Sequence, residues 1–210
     1  MGITDLARLV GDFMRSVLIS IRPEWCALIA RGVKTIEVRK TKPKLDTPFK
    51  CYIYCTKGKF EPSEHLRNNL HYDDSTIKVC EGQGKVIGEF VCNCIECFTT
   101  DYRRNEEQTQ RISRQSCVDM CSLMEYEANA PCLYGWHISN LVIYDEPKPL
   151  NHLFCECKHY DTDSDSFCYG CPYFYEESNE SVGYYSECLV DGYIPIKKPP
   201  QSWCYVEDLP

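Results

Sequence analysis

Residues 16–40, SVLISIRPEWCALIARGVKTIEVRK, constrain the fold more than any other stretch of this chain. SVLISI reads as a buried strand, apolar and rich in β-branched residues. Pro23 and Glu24 suit the first turn of a helix. Trp25, Leu28 and Ile29 give that helix an apolar stripe, and Gly32 supplies its stop. KTIEVRK is then a second strand, and an unusual one. Side chains alternate across a strand, so Ile36 and Val38 share one face while Thr35, Glu37 and Arg39 share the other. Lys34 stands at the strand entry, two residues after Gly32. The charged face is either a solvated surface with a weak Glu–Arg pair or the wall of a polar pocket.

The remaining segments extend the sheet. FKCYIYCTK (49–57), GKVIGEFVCNCIECF (84–98), LYGWHISNLVIYD (133–145) and residues 202–207 read as strands. A helix is predicted at about 115–127, after a polar stretch. Ile3, Leu6, Val10, Phe13 and Met14 predict a short amphipathic helix over 3–14. Short strands with few helices predict an α+β fold: a small mixed β-barrel flanked by helices. Four parts follow. Residues 1–15 are a helical extension and 16–150 are the barrel, with a polar insertion at about 58–84. Residues 151–192 are a Cys-rich acidic insertion, and 193–210 carry the closing strand.

No apolar run approaches the roughly 18 residues of a membrane helix, and residues 1–13 do not read as a signal peptide. The expectation is a cytoplasmic protein without membrane association. The net charge of −8 is unevenly spread. Residues 155–210 hold 11 acidic and 3 basic side chains, a balance of −8, so the rest of the chain is neutral. Residues 31–44 reach +5, with Arg31, Lys34, Arg39, Lys40, Lys42 and Lys44 against Glu37 alone. Such a patch can serve phosphates. The acidic segment would repel them and suits a protein partner instead.

SIRPEWCALIARGVKTIEVRK, followed by KVIGEF and LYGWHI, resembles the ASCH domains of the PUA-like superfamily. The resemblance covers about residues 16–150 and the strand near 202–207, and it implies a small β-barrel with a cleft for RNA or a nucleotide. Some relatives look like enzymes, among them amidohydrolases of an acylated cytidine and a ribonuclease. In the amidohydrolase pattern a nucleophilic Thr follows the Lys by three residues; Lys34 and Thr35 match its start, but Glu37 occupies the nucleophile position.

The candidate ligand-binding residues are accordingly Lys34, Thr35, Glu37 and Arg39, with Arg22 and Trp25 at the first helix start. Arg reads phosphate or a base edge with its planar fork, Lys supplies a point charge, and a carboxylate accepts from an exocyclic amine. Lys34 and Glu37 are also the catalytic candidates of the hydrolase reading, as bases acting on a nucleoside amide or an RNA phosphodiester. Tyr134 and Trp136 share one face of LYGWHI and could stack on bases, unless they are core; Gly135 between them permits close approach of another backbone or a flat ligand.

Sixteen cysteines suggest metal before disulfides in a reducing compartment. Cys155 and Cys157 form a C-x-C, Cys168 and Cys171 a C-x-x-C, and Cys188 follows. Two close pairs supply the four ligands of a structural zinc, with Cys188 as a substitute, in a segment poor in aliphatic residues. A third reading is therefore a zinc-stapled protein-interaction module.

Overall fold

The computed structural model describes residues 15–58, 79, 81–157, 174–179, 183–188 and 193–207, with the backbone alone at 102, 174–179 and 183–188. The predicted helix over 3–14, most of the insertion at 58–84, and Cys168 and Cys171 lie outside the described residues.

SVLISI forms β1 (Arg15–Ile21), whose side chains are buried from Ser16 onward. Helix α1 (Pro23–Ala30) follows with Pro in its first turn, and Gly32, at φ +70, reverses the chain. The left-handed conformation costs glycine nothing. Next come β2 (Ile36–Arg39) and β3 (Phe49–Cys55), then β4 (Val86–Phe98). Two helices follow, α2 (Tyr102–Ser116) and α3 (Met120–Glu127). The chain continues through β5 (Leu133–Lys148), a single 3₁₀ turn at Leu150–His152, β6 (Phe154–Glu156), β7 (Phe174–Asn179), β8 (Gly183–Cys188), β9 (Tyr193–Pro195) and β10 (Trp203–Glu207).

Eight strands form one mixed sheet in the order β2-β5-β4-β3-β1-β10-β6-β9, and β7 and β8 pair separately. Only β1 and β3 run parallel within it, joined by the crossover that contains α1 and β2. Pairing runs from β2 at one edge to β9 at the other, so among the described residues the sheet is not closed. The expected α+β class is present, while the described strands form an open sheet in which the expected barrel closure is not seen. β4 and β5 carry three register shifts along their ladder. Such irregularities bend and twist a long strand pair. One of them depends on Gly88, where a Cβ would meet the Val142 carbonyl oxygen at 2.3 Å.

The main core gathers Val17, Ile19, Ile53, Phe90 and Trp136 with the inner side of α1. A second cluster joins Leu18, Tyr52 and Tyr54 to Val206 and Ile196. The third places Ile36 and Val38 of β2 against Ile112 of α2 and Leu123 of α3. Thus the apolar face of β2 lies under the two helices. The predicted helix at 115–127 matches α3 but misses α2. Helix α2 is strongly polar, and Ile112 is its apolar member of the core. Polar contacts hold it: Asp101 caps its N-terminus, and the Thr109 hydroxyl donates to Thr99 O and Asn105 O.

A basic cavity beside the second strand

Glu37 and Arg39 line a cavity of ≈ 1100 Å³. Several segments contribute described residues to its walls. Ser20, Arg22 and Trp25 come from the β1–α1 junction. Lys34, Glu37 and Arg39 come from β2 and the residues just before it, and Ser122, Leu123 and Tyr126 from α3. The Lys197–Gln201 segment, through Lys197, Pro199, Pro200 and Gln201, and Tyr54 with Lys57 complete it.

The charges are buried at its base. Lys34, Glu37 and Arg39 are 2, 7 and 9% exposed. Lys34 Nζ donates to Ser116 O at 2.7 Å and lies 3.3 Å from Glu37 Oε2. Its ammonium also stands 5.0 Å from the centre of the Trp25 ring, a cation–π contact. Arg39 Nε is 3.0 Å from Glu37 Oε1, but the N–H does not point at the oxygen and makes no hydrogen bond. Arg39 Nη2 donates to Ser20 O at 2.6 Å, and Nη1 to the Ser202 hydroxyl at 3.4 Å. One carboxylate therefore serves two buried cations, which leaves this network one positive charge in excess.

The sequence-predicted residues divide in two. Lys34, Glu37, Arg39, Arg22 and Trp25 meet at the cavity. Thr35 precedes β2 and is exposed; its backbone N–H donates to Gln115 O. Tyr134 and Trp136 do not line the cavity. Trp136 is opposite Glu37 in the β2–β5 ladder, on the same face, yet it is fully buried between Phe49 and Trp203. Gly135 admits the Ile36 side chain, whose Cγ2 would be 3.1 Å from a Cβ there, rather than a flat ligand. Sequence reading missed Lys57, Tyr126 and the Lys197–Gln201 wall. The wall is tied down by Ser20, whose hydroxyl donates to Pro200 O at 2.7 Å and whose N–H donates to Ser202 O at 2.9 Å.

A second polar cluster lies where α2 meets the sheet. Glu96 of β4 accepts hydrogen bonds from Arg111 and Gln108 of α2 and contacts His137 of β5. Burial raises the pKa of the Glu96 carboxyl, but these hydrogen bonds and the Arg111 charge outweigh it and bring the value down to about 2. A folded pKa depressed below the unfolded value gives stability that is present above about 4.5 and lost as pH falls toward about 2. We expect Glu96→Gln to lose ~1–2 kcal/mol at neutral pH, discounted because Arg111 is part-exposed, and to flatten the stability profile between those limits. Urea titrations at stepped pH measure this. A variant profile parallel to wild type would overturn it.

Cys155 packs with Cys204 beside the second apolar cluster, and Cys157 follows β6. Of Cys188 only the backbone is described, as the end of β8. Among the described residues no group of three or more His, Cys, Asp or Glu side chains could hold a metal. None of the described helices is long and apolar enough to cross a membrane.

Comparison with solved structures finds the crystal structure of ASCH from Zymomonas mobilis, with a TM-score of 0.46 and 18% identity over 66% of this chain and 76% of that one. Two mutants of the same protein match similarly, one at 0.46 and 17%, the other at 0.44 and 16%. The likeness is one of fold alone. No family model matches the chain, and no curated protein matches it.

Proposed function

We propose that this chain is an ASCH-type, PUA-like module that binds RNA or a nucleotide in the cavity beside β2. One observation carries the reading. Among the described residues, Arg22, Lys34, Arg39, Lys57 and Lys197 line the cavity against Glu37 alone, in a chain whose net charge is −8. Clefts of one sign focus field lines and concentrate ligands of the other sign. The aromatic lining, Trp25, Tyr54 and Tyr126, adds ring faces suited to a base. The volume exceeds the roughly 300–1,000 Å³ usual for small-molecule sites, so a nucleotide fits with room to spare. The resemblance of GVKTIEVRK to the ASCH pattern points to the same strand.

Hydrolysis at this cavity is the rival reading, with Lys34 as a base. The geometry favours binding, because the Lys34 amino group is buried and already engaged by Ser116 O at 2.7 Å and Glu37 Oε2 at 3.3 Å. Calorimetric titration with the four ribonucleoside 5′-monophosphates and short RNA tests the proposal. Arg22→Glu, at an exposed position on the rim, is expected to weaken binding about tenfold, the scale of one charged hydrogen bond. Equal affinity in that variant, or no binding by the wild type, would reject the reading. Release of a shortened or deacylated product during the titration would favour the hydrolase.

A further inference from the structure

We propose that Cys97 and Cys132 form a thiol pair that low-molecular-weight disulfides oxidise reversibly to a disulfide, with Cys132 as the attacking sulfur. This goes beyond the binding reading and does not rest on it. The end of the β4–β5 ladder brings the pair together. Cys97 is opposite Tyr134 and Phe98 is opposite Leu133, so Cys132 enters β5 beside the strand that carries Cys97. The two thiols hydrogen-bond to each other. The Tyr134 hydroxyl hydrogen-bonds to Cys132 as well. The Lys42 ammonium lies 5.9 Å from the Tyr134 ring centre, and its charge acts on Cys97. Both cysteines are free thiols, Cys97 exposed and Cys132 half-buried, so a small reagent reaches them.

Reactive cysteines are accessible and stand beside a cation, whereas structural ones are buried and inert. The hydrogen bond to Cys132 pushes the Cys97 thiol up to about 11, and the one to Tyr134 raises that hydroxyl too. Each neighbour therefore keeps its proton and offers it to the Cys132 sulfur. Two donors on one sulfur favour the thiolate there, so Cys132 attacks first. It displaces one sulfur of the small disulfide as a thiolate and forms a mixed disulfide. Cys97 then gives up its proton, attacks the Cys132 sulfur and expels the second small thiolate. Two protein thiols are oxidised, the small disulfide is reduced to two thiols, and the two protons end on them. Cys26 and Cys55 show the contrast. Their side chains also hydrogen-bond, but both are fully buried, and burial holds the Cys26 thiol well above its ordinary value. A bond between Cys97 and Cys132 closes a segment that contains α2 and α3, and α3 supplies Ser122, Leu123 and Tyr126 to the cavity. Oxidation thus ties the helical wall of the cavity to the sheet.

The test exposes the reduced full chain to glutathione disulfide, quenches with acid, alkylates the remaining thiols and maps the peptides by fragmentation. The wild type should yield a Cys97–Cys132 linkage that excess reduced glutathione reverses. Cys97→Ser should stop at the mixed disulfide on Cys132, formed about tenfold faster than at the exposed Cys94 and Cys121. Cys132→Ser should leave Cys97 reduced over the same time. Lys42→Glu and Tyr134→Phe should each slow the first step several-fold and still reach the linkage. The oxidised wild type should melt roughly 5–10 °C above the reduced protein, a gain absent from Cys97→Ser under the same treatment. Cys97 and Cys132 both freely alkylated after exposure, or either linked to a different cysteine, would overturn the pair. A mixed disulfide that forms on Cys132 no faster than on Cys94 would overturn Cys132 as the attacking sulfur. A linkage that lowers the melting temperature would overturn its place in the native fold.

Discussion

Glu37→Gln should cost the fold about 3–5 kcal/mol, the usual loss when one partner of a buried ionic group is removed. For a chain of this size that is a fall in Tm of roughly 10 °C. The amide keeps the shape of the carboxylate and removes its charge. Lys34 and Arg39 would then lie buried with the carbonyls of Ser116 and Ser20 as their main acceptors. Lys34→Met should cost less, because Glu37 keeps Arg39 at 3.0 Å and the methionine fills the space of the lysine stem. The double variant Lys34→Met/Glu37→Gln should be more stable than the sum of its parts, since it removes one cation along with the anion. Thermal unfolding of the four proteins measures the coupling. A Glu37→Gln variant that melts within 2 °C of wild type, a shift of under about 1 kcal/mol, would mean that water already screens these charges and that the network does not hold the cavity base.

That network explains which parts of the site could be read from sequence. The alternation in IEVR is local information, and it separates Glu37 and Arg39 from Ile36 and Val38 without any knowledge of neighbours. The turn at Gly32 similarly marks where Lys34 can depart from strand geometry. Arg22 and Trp25 were accessible because a helix start is announced by its own residues, Pro23 and Glu24. Lys57, Tyr126 and Lys197 were not accessible. They come to the cavity from three distant segments, through β3, α3 and the Lys197–Gln201 segment, and no periodicity within any one of those segments records the encounter. Helix α2 was missed for a related reason. Its face toward the sheet is held by Arg111, Gln108 and Thr109, and polar side chains give no apolar stripe to recognise. Barrel closure was expected from element order, which fixes how many strands there are but not whether the two edge strands meet.

Trp136→Ala should be as damaging as Glu37→Gln, about 3–5 kcal/mol, the range for truncating a large core aromatic. The reason differs. Trp136 makes an edge contact with Phe49, ring centres 5.9 Å apart, and a tilted contact with Trp203 at 6.0 Å. Removing the indole opens a void at the point where β5, β3 and β10 face one another across the core. Alternation correctly puts Tyr134 and Trp136 on one face; what it does not show is that this face passes from the surface at Tyr134 into the interior at Trp136. Trp136→Phe should lose less than half as much. It retains a ring and also removes the indole N–H, which is buried without an acceptor among the described residues, a defect that itself costs about 1–3 kcal/mol. Because Trp136 does not line the cavity, the folded Phe variant should bind mononucleotide within about twofold of wild type, under 0.5 kcal/mol. A tenfold loss of affinity in a Phe variant with near-native Tm would instead put Trp136 on the ligand, and the base would then lie deeper between β2 and β5 than the cavity drawn by Tyr54, Trp25 and Tyr126.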